Sequence, residues 1–237
     1  MERDKKFIVE IDEDASSPRP DVAIWRGQKA CVSETFNMEC KVPSNCSDII
    51  IRKQLGPKHF SVLRKAFVSF CCSGFPHSVI AQITRHQDAG HLVQSFRYTG
   101  ENFIKVHLHE ISLDDVFYMR PVGQHSSRNG TYTRTQEMND LRIEHIKEAC
   151  RIYNEEIKAG VPFEDARDIM PYGYRQNFDL SGDLQAIWHI LDQRTLEDSQ
   201  AEIRVLAEMI LECLDKWCPE LTAWYRKHRY KKNLLAP

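Results

Sequence analysis

The residues best suited to chemistry lie in one stretch of seventeen that begins at Gln82 and holds two arginines, two histidines, amides and hydroxyl groups. Read as a helix, its first half presents Gln82, Arg85 and His86 on one face. Its second half alternates like a strand that presents Ser95 and Arg97 together. A guanidinium binds phosphate through two parallel, charge-assisted hydrogen bonds. The pattern fits an anion-binding site, and it also fits a solvated helix face followed by an ordinary amphipathic strand.

A second arginine-bearing pattern lies in the C-terminal half of the chain. A helix from about Gly182 carries an apolar stripe, and Arg194 occupies the next position on that stripe. An arginine so placed either extends its guanidinium to solvent or meets a buried anion. Arg167 lies similarly beside a helix-ending proline, Pro171. Both arginines are therefore candidates for anion binding, with solvent-directed side chains as the alternative.

The composition is that of a soluble globular protein. The chain has 237 residues, 42% of them apolar and 28% charged, with a net charge of -2. These values fit a chain with one buried core and give no electrostatic reason to expect nucleic acid. The first twenty residues lack the apolar core of a secretory signal, and no apolar run reaches the roughly 18–20 residues that span a bilayer. We expect a cytoplasmic protein that binds neither membrane nor nucleic acid.

The eight cysteines do not follow the spacing of a disulfide framework or a zinc site, since no CxxC pair occurs. Cys71 and Cys72 are adjacent in an apolar run and are interpreted as core packing. His107 and His109 could share one face of a strand, but no third ligand is evident, so structural or solvated histidines are the favoured interpretation. We expect eight reduced cysteines and no metal site.

The order of elements, strands first and helices later, indicates an α+β fold in a single domain. We expect a tail with a first strand in residues 1–20 and one domain over residues 21–237. Segment 21–57 is read as helix and loop covering a sheet edge, and segment 121–137, with an Asn129-Gly130 turn signal, as a loop or lid.

The predicted strands are residues 7–11, 65–72, 93–98 and 103–109. The predicted helices are one that begins near Pro76 and carries Arg85, then 141–157 ended by Gly160, 182–194 and 199–217, with the basic residues 226–232 as a solvated helix end.

Together these motifs resemble the signature of the flavin-dependent thymidylate synthases. Arg85-His86-Gln87, seven residues and then Ser95 is similar to the family's Arg-His-Arg, seven residues, Ser. The resemblance runs in family order over roughly residues 58–225. The other matching motifs are His59-x-Ser61, Ala166-Arg167 through Pro171, Asp183 through Arg194, and Gln200-Ala201-Glu202-Ile203, while segments 116–123 and 174–178 resemble the branch found in cyanobacteria and their phages.

The resemblance implies an α+β fold with a central, mostly antiparallel sheet flanked by helices. It implies a homotetramer whose active sites lie at subunit interfaces. The implied reaction is the reductive methylation of dUMP to dTMP, with 5,10-methylenetetrahydrofolate as carbon donor and NADPH reducing a bound FAD. Cofactors must carry this step because side chains supply neither a one-carbon group nor a reductant. The family uses no cysteine nucleophile, so no catalytic cysteine is expected.

The resemblance also assigns roles to individual residues. Arg194 is expected to hold the pyrimidine and stabilise charge that develops on the ring, and Ser95, which has no adjacent base in sequence, to act through nucleotide binding. These two are the candidate catalytic residues. The implied dUMP site comprises Gln82, Arg85, Gln94, Ser95, Arg97, Arg167 and Arg194. The implied flavin site comprises His59, Ser61, Arg85, His86, Gln87, Asp183 and His189.

The chain departs from the family pattern at two of these positions. Gln87 replaces the second arginine of the signature, and Asp183 replaces a usual asparagine. Both changes weaken the electrostatic attraction for an anionic cofactor, although the positive charges of Arg64 and Lys65 could offset this effect if they face the same site. We hypothesise altered flavin affinity. Two alternatives stay open: a related flavoenzyme that uses another pyrimidine nucleotide or transfers a hydroxymethyl group, and a catalytically inactive nucleotide-binding homologue.

Overall fold

Helices and strands alternate irregularly along the chain in the computed structural model, which describes residues 3–34, 40–127 and 130–232. The strands are β1 Ile8–Ile11, β2 Phe67–Pro76, β3 Gly90–Val93, β4 Gly123–Ser127, β5 Gly130–Arg134 and β6 Arg175–Asp183. The helices are α1 Pro20–Val32, α2 Cys46–Ile50, α3 His77–Ile83, α4 Phe96–Thr99, α5 Glu101–His107, α6 Leu113–Val116, α7 Gln136–Lys158, α8 Phe163–Ala166, α9 Leu184–Arg194, α10 Ala201–Trp217 and α11 Pro219–His228. A π-helical turn, Ile51–Leu55, and two 3-10 turns, Phe60–Lys65 and Arg167–Ile169, complete the set in these ranges.

Two sheets form in the described residues. Four strands pair in the order β1-β2-β6-β3, and β4 and β5 form a separate antiparallel hairpin. The α+β class predicted from the sequence is confirmed. The order of the four strands places β6 beside β2 although about a hundred residues separate them in sequence, which is a connection that local patterns do not reveal.

The long helices and the first two strands follow the predictions closely. The apolar stripe predicted over residues 141–157 lies within α7, and Gly160, at φ 90°, follows its end in the left-handed region that favours glycine. The predictions for α9 and α10 are also confirmed. Segment 21–57 contains the helices α1 and α2, which agrees with the helix-and-loop interpretation.

The strand predicted over residues 93–98 is wrong beyond Val93, where β3 ends. Ser95 instead begins a helix, because its hydroxyl accepts a hydrogen bond from the Arg97 backbone N–H at 3.4 Å and so caps α4. Serine is among the residues that best satisfy the free N–H groups of a first helical turn. Ser95 and Arg97 therefore leave a capped helical turn and not one face of a strand.

The strand predicted over residues 103–109 is a helix, α5. Phe103 and Val106 are both buried, three residues apart, as one face of a helix requires. His107 ends this helix and His109 follows it at φ 60°, so the two imidazoles do not share a strand face. Within the described residues, no group of three potential ligands is arranged to hold a metal ion.

The helix predicted to carry Arg85 ends earlier, at Ile83. The Thr84 hydroxyl donates to the Ile80 carbonyl oxygen at 2.8 Å, which is a side-chain bond that commonly accompanies the end or a bend of a helix. Gln82 therefore lies on α3, whereas Arg85 and His86 lie in the turn beyond it. Strand β6 was not predicted because its sequence lacks the β-branched residues that mark a strand.

The segment predicted as a loop or lid, 121–137, forms the β4–β5 hairpin and the first turn of α7. Five residue pairs join the two strands, from Gly123 opposite Arg134 to Ser127 opposite Gly130. The predicted turn at Asn129 lies outside the described residues.

The chain divides into two compact units. The first unit is Met1–Ile8, Ser73–Thr84 and Leu92–Phe178, and the second is Val9–Cys72, Arg85–His91 and Asp179–Pro237. The core of the first unit contains Phe96, Phe103, Phe117, Ile146 and Tyr153. The second unit buries Ile187, Trp188, Ile190, Leu206, Ile210, Leu214 and Tyr225 from α9, α10 and α11. The single domain over residues 21–237 stays a prediction.

The basic C-terminal segment is exposed at Lys227, His228, Lys231 and Lys232, as the solvated helix end predicted from the sequence requires, but its arginines pack against carboxylates. Arg229 forms an ion pair with Asp192, whose carboxylate is almost completely buried. Arg226 pairs with Asp215, and Lys231 with Glu208 at 3.3 Å. A buried carboxylate needs a charged partner, which explains why Arg229 packs inward.

All eight cysteines are free in the structure, in agreement with the sequence analysis. The vicinal pair is divided, since Cys72 is buried whereas Cys71 is exposed, so the core-packing interpretation is wrong for Cys71. Among the residues described, none of the helices combines the length and the apolar character that crossing a bilayer would require.

Candidate functional site

A contact between His86 and Arg194 forms the centre of the candidate site in the second unit. The Arg194 Nε donates to the His86 Nε2 at 2.8 Å. Because a guanidinium nitrogen can only donate, the His86 Nε2 must be the unprotonated ring nitrogen. The His91 side chain lies 2.9 Å, through its Nε2, from the His86 backbone oxygen. The structure therefore holds His86 as a neutral imidazole turned towards Arg194.

The electrostatic surroundings favour the same protonation state. The pKa of His86 is lowered to about 4, chiefly by burial, since only 8% of this residue is exposed. The positive charge of Arg194 contributes to this lowering, as do His189 and His91, whereas Asp88 opposes it. Desolvation and neighbouring cations both penalise the imidazolium. His86 is consequently an uncharged hydrogen-bond acceptor at neutral pH.

Arg194 keeps its charge in a setting that penalises it. The side chain is half-buried at the end of α9, and burial lowers its pKa. Arg85 lowers that pKa too, and Asp198 opposes the change. Arg85 itself is exposed and forms no ion pair within the described residues. Two guanidinium groups close enough to repel one another make a setting that an anion would stabilise.

His189 and Gln193 extend this cluster along α9. The His86 and His189 rings lie 6.2 Å apart at 79°, an edge-to-face arrangement. Gln193, one helical turn after His189, places its Nε2 2.8 Å from the His189 Nε2. Gln193 was not among the predicted site residues, although its i,i+4 spacing from His189 could have indicated the contact.

Asp183 caps the helix that carries His189 and Arg194. Its carboxylate accepts from the Ala186 backbone N–H at 2.9 Å. Aspartate and asparagine are equally good caps, so the replacement of the family's asparagine preserves this bond. Beside it, the Arg64 Nε donates to the Gln185 Oε1 at 3.1 Å.

Three further residues assigned to the flavin lie in the second unit without joining the His86 cluster. His59 precedes a 3-10 turn and Ser61 lies within it, and both are exposed. Gln87 follows His86 and is also exposed. The structure therefore brings together Arg85, His86, His189 and Arg194, and leaves His59, Ser61 and Gln87 as surface groups.

A second arginine cluster lies in the first unit, around Glu164. The Arg97 Nη2 lies 3.2 Å from the Glu164 Oε1, with side chains 58% and 39% exposed. The Arg167 Nε donates to the Glu164 backbone oxygen at 3.1 Å. Arg97 and Arg167, predicted separately, thus meet at one residue, and Ser95 caps the helical turn that carries Arg97. Glu164 was not predicted, although it lies three residues before Arg167.

The side chains of the two glutamines assigned to dUMP form hydrogen bonds with backbone groups of the first unit. The Gln82 Nε2 donates to the Ser78 carbonyl oxygen at 2.8 Å on α3. The Gln94 Oε1 accepts from the Asn177 backbone N–H at 3.1 Å, and its backbone oxygen accepts from Gln176. The Gln94 side chain thereby extends the pairing of β3 with β6.

The thymidylate synthase complementing protein family matches residues 15–220. The chain belongs to this family. A flavin-dependent thymidylate synthase of Haloarcula marismortui is 30% identical over 199 residues, which are 80% of this chain and 80% of that protein. Another, of Halobacterium salinarum, is 28% identical over 200 residues, 79% of each chain. The resemblance in the sequence motifs is confirmed.

Solved structures of low sequence identity share the fold. Thymidylate synthase X of Helicobacter pylori, solved with FAD and dUMP, has a TM-score of 0.72 at 17% identity and covers 93% of this chain and 100% of its own. PolB of Streptomyces cacaoi, a UMP/dUMP methylase solved with 5-Br dUMP, has a TM-score of 0.78 at 16% identity and covers 97% and 98%. At these identities the likeness shows the fold alone.

Proposed function

We propose that this family member is an FAD-dependent thymidylate synthase that methylates dUMP to dTMP, with 5,10-methylenetetrahydrofolate as carbon donor and NADPH as reductant. The observation that carries the proposal is the contact of Arg194 with a buried, uncharged His86. An uncharged acceptor fixes the direction of the guanidinium without cancelling its charge. Such a cation is suited to a pyrimidine ring that gains negative charge.

The residues of the second unit fit an anionic flavin nucleotide. The exposed guanidinium of Arg85 repels that of Arg194 and forms no ion pair within the described residues. Two pyrophosphate charges would relieve this repulsion. His59, Ser61 and His189 would add hydrogen-bond donors. Arg64, which is hydrogen-bonded to Gln185, would supply the positive charge that Gln87 lacks. Bound FAD would pass reducing equivalents from NADPH to the substrate.

Residues of both arginine clusters would contact dUMP. Arg194 would hold the pyrimidine, with His86 fixing the guanidinium direction. Arg97 would also contact the pyrimidine, while Ser95 and Arg167 would bind the nucleotide. Gln82 and Gln94 stay predicted contacts, and both already make hydrogen bonds inside the first unit.

Assembly completes the proposal. In this family the site draws on several subunits of a homotetramer, so we expect residues of more than one chain to contact the same dUMP. The cytoplasmic location stays a prediction. Sedimentation of the purified protein should give a tetramer, whereas a monomer with full activity would contradict the shared site.

One preparation tests the reaction. The purified protein should be yellow, and NADPH with methylenetetrahydrofolate should convert dUMP to dTMP. A colourless protein that fails to bind added FAD would refute the proposal. UMP and dCMP serve as competing substrates, because a yellow protein that acts on either of them and not on dUMP would favour the alternative of an altered pyrimidine. Release of a hydroxymethylated product would favour the other alternative chemistry.

A further inference from the structure

One arginine of the basic C-terminal segment packs inward onto the second unit. Arg229 directly follows α11, and only 12% of its side chain is exposed. Its Nε donates to the Asp192 Oδ1 at 3.2 Å, and its Nη2 donates to the other oxygen of that carboxylate, which is 1% exposed. Desolvation offsets most of the attraction within such a buried pair, so the pair contributes less to stability than to fixing the geometry of the two elements it joins.

Arg229 also contacts the turn that carries two residues assigned to the flavin. The Arg229 Cζ lies 4.8 Å from the centre of the Phe60 ring and 5.9 Å from the centre of the Trp188 ring. A guanidinium at these distances is attracted to the face of an aromatic ring. Phe60 lies between His59 and Ser61 at the start of a 3-10 turn. The position of Phe60 therefore determines where the side chains of His59 and Ser61 leave the backbone.

The same guanidinium holds the helix that carries His189. Trp188 and Asp192 both lie on α9, and His189 lies between them in sequence. Arg229 thus contacts α9 through a carboxylate and a ring, and it contacts the neighbouring turn through Phe60. A single side chain therefore links the two elements of the second unit that supply His59, Ser61 and His189.

The turn itself needs support from its surroundings. Lys58, which precedes His59, has a φ of 68°, in the left-handed region that non-glycine residues rarely adopt. Such a backbone persists only where neighbouring groups hold it in place. The Trp224 ring of α11 provides a second contact, 6.0 Å from the Phe60 ring. Arg229 and Trp224 together hold Phe60 from the C-terminal end of the chain.

Arg226 provides a contrast within the same segment. It pairs with Asp215 of α10, and both side chains are partly exposed. Its guanidinium also lies 5.7 Å from the centre of the Tyr230 ring. In the ranges that the structure describes, Arg226 makes no hydrogen bond, ion pair or ring contact with α9 or with residues 59–61. The two arginines of the segment therefore join different elements.

We propose that Arg229 is a positioning residue for the flavin, because it joins α9 to the turn that carries His59 and Ser61. The inference rests on the proposed function, in which His59, Ser61 and His189 supply hydrogen-bond donors to FAD. Arg229 acts on FAD through these residues and not by contact with the cofactor. Its removal should weaken the retention of FAD, since the three donors would no longer be held at fixed positions.

Release of FAD from the full-length holoenzyme measures this effect. The fluorescence of freed flavin after dilution gives the dissociation constant at a temperature well below the midpoint of thermal unfolding. The test variant combines Asp192→Asn with Arg229→Gln, so that no buried carboxylate is left without its cation. We expect its dissociation constant for FAD to rise about tenfold, as it does when a binding group is lost or misplaced.

A matched double variant controls for loss of an ion pair as such. Asp215→Asn combined with Arg226→Gln removes a pair between the same segment and α10. It should release FAD as the parent does. A purely structural role for Arg229 would lower the midpoint of thermal unfolding and leave the dissociation constant of the folded protein unchanged. Equal FAD affinity in the two double variants would overturn the proposal.

Phe60→Leu tests whether the effect passes through the ring. This change removes the aromatic face and leaves the ion pair of Arg229 in place, so we expect FAD to bind about threefold or more weakly. In the background of Asp192→Asn and Arg229→Gln, the same change should add less than about twofold, because the contact it removes is already absent. Losses that multiply in full would show that Phe60 and Arg229 act independently, which contradicts the proposal.

The same preparations separate this inference from the proposed function. If the parent forms dTMP and the Asp192→Asn, Arg229→Gln variant retains FAD as tightly as the parent, the positioning role alone is refuted. If FAD retention depends on Arg229 but the parent forms no dTMP with all substrates present, the proposed reaction fails and the positioning role stands. A parent that binds no FAD would refute both.

Discussion

The two clusters that carry the candidate site use opposite kinds of acceptor for their arginines. In the second unit Arg194 meets a buried, neutral imidazole, whereas in the first unit Arg97 meets the exposed carboxylate of Glu164. The imidazole orients its guanidinium and leaves the charge intact. The carboxylate offsets part of the charge, in an exposed setting where an ion pair contributes about 0.2–1 kcal/mol.

This difference between the two acceptors gives the two clusters different roles, one in turnover and one in substrate binding. A half-buried cation fixed by a buried acceptor can stabilise charge as it develops, since less solvent reorganises around it than around an exposed one. A cation in a weak, exposed ion pair can exchange its partner for a substrate group at small cost. We therefore expect the His86–Arg194 pair to control turnover and the Arg97–Glu164 pair to control affinity for dUMP.

The largest expected effect follows removal of the half-buried cation, Arg194. Arg194→Gln should lower kcat for dTMP formation by about 100-fold or more, which is the usual loss when one preorganised donor to a developing charge is removed. Steady-state assay with saturating dUMP measures it. Arg226→Gln is the matched control, because Arg226 pairs with Asp215 and touches no assigned residue. Retention of most of the activity by Arg194→Gln would remove Arg194 from the site.

A smaller loss is expected when the acceptor is removed. His86→Leu should lower kcat by roughly tenfold or more, because a misdirected guanidinium no longer meets the ring at the required position. His86→Gln should recover much of the activity, since a glutamine carbonyl oxygen can accept from the Arg194 Nε. Equal activity of the leucine and glutamine variants would show that acceptance of this hydrogen bond is irrelevant.

The same histidine should make stability depend on pH. Its pKa is about 4 in the folded chain and about 6.5 when unfolded, so the unfolded state binds the additional proton as pH falls from 6.5 to 4. Stability from this group is complete above pH 6.5 and is lost over that window, by up to roughly 3 kcal/mol. Denaturant unfolding should show a shallower decline for His86→Gln than for the parent, and parallel curves would contradict the assignment.

The smallest effect concerns the exposed cluster. Glu164→Gln should release Arg97 from its carboxylate and lower KM for dUMP by less than about fivefold, because exposed ion pairs of this kind contribute about 0.2–1 kcal/mol. Deoxyuridine and dUMP kinetics of the same variant measure the change, with Glu155→Gln as a control on α7. A marked rise in KM for dUMP would mean that Glu164 itself supports the nucleotide.

The parts of the fold that could be predicted have strong local periodicity. The apolar residues of α7, α9 and α10 recur with helical spacing. Gly160, which follows α7, has a left-handed backbone conformation that favours glycine, so it marks the end of that helix. Short elements could be predicted less well from the sequence. Residues 94–98 alternate like a strand, but the cap formed by Ser95 favours a helix. Strand β6 pairs in the middle of a sheet despite its weak strand propensity.

Family motifs name candidate site residues, but they do not give the contacts between those residues. Family motifs named Arg97, Arg167, His86 and Arg194, yet the His86–Arg194 bond joins residues 108 positions apart. No local pattern encodes such a bond, because it depends on how α9 packs against the turn after α3.

The comparison of the two clusters is tested most directly by kcat and KM for dUMP, measured side by side in Arg194→Gln and Arg97→Gln. We predict that Arg194→Gln loses about 100-fold in kcat with KM changed by less than about threefold, whereas Arg97→Gln raises KM by about three- to tenfold with kcat nearly unchanged. Equal losses of kcat in both variants, or a change confined to KM in Arg194→Gln, would contradict the division between turnover and binding.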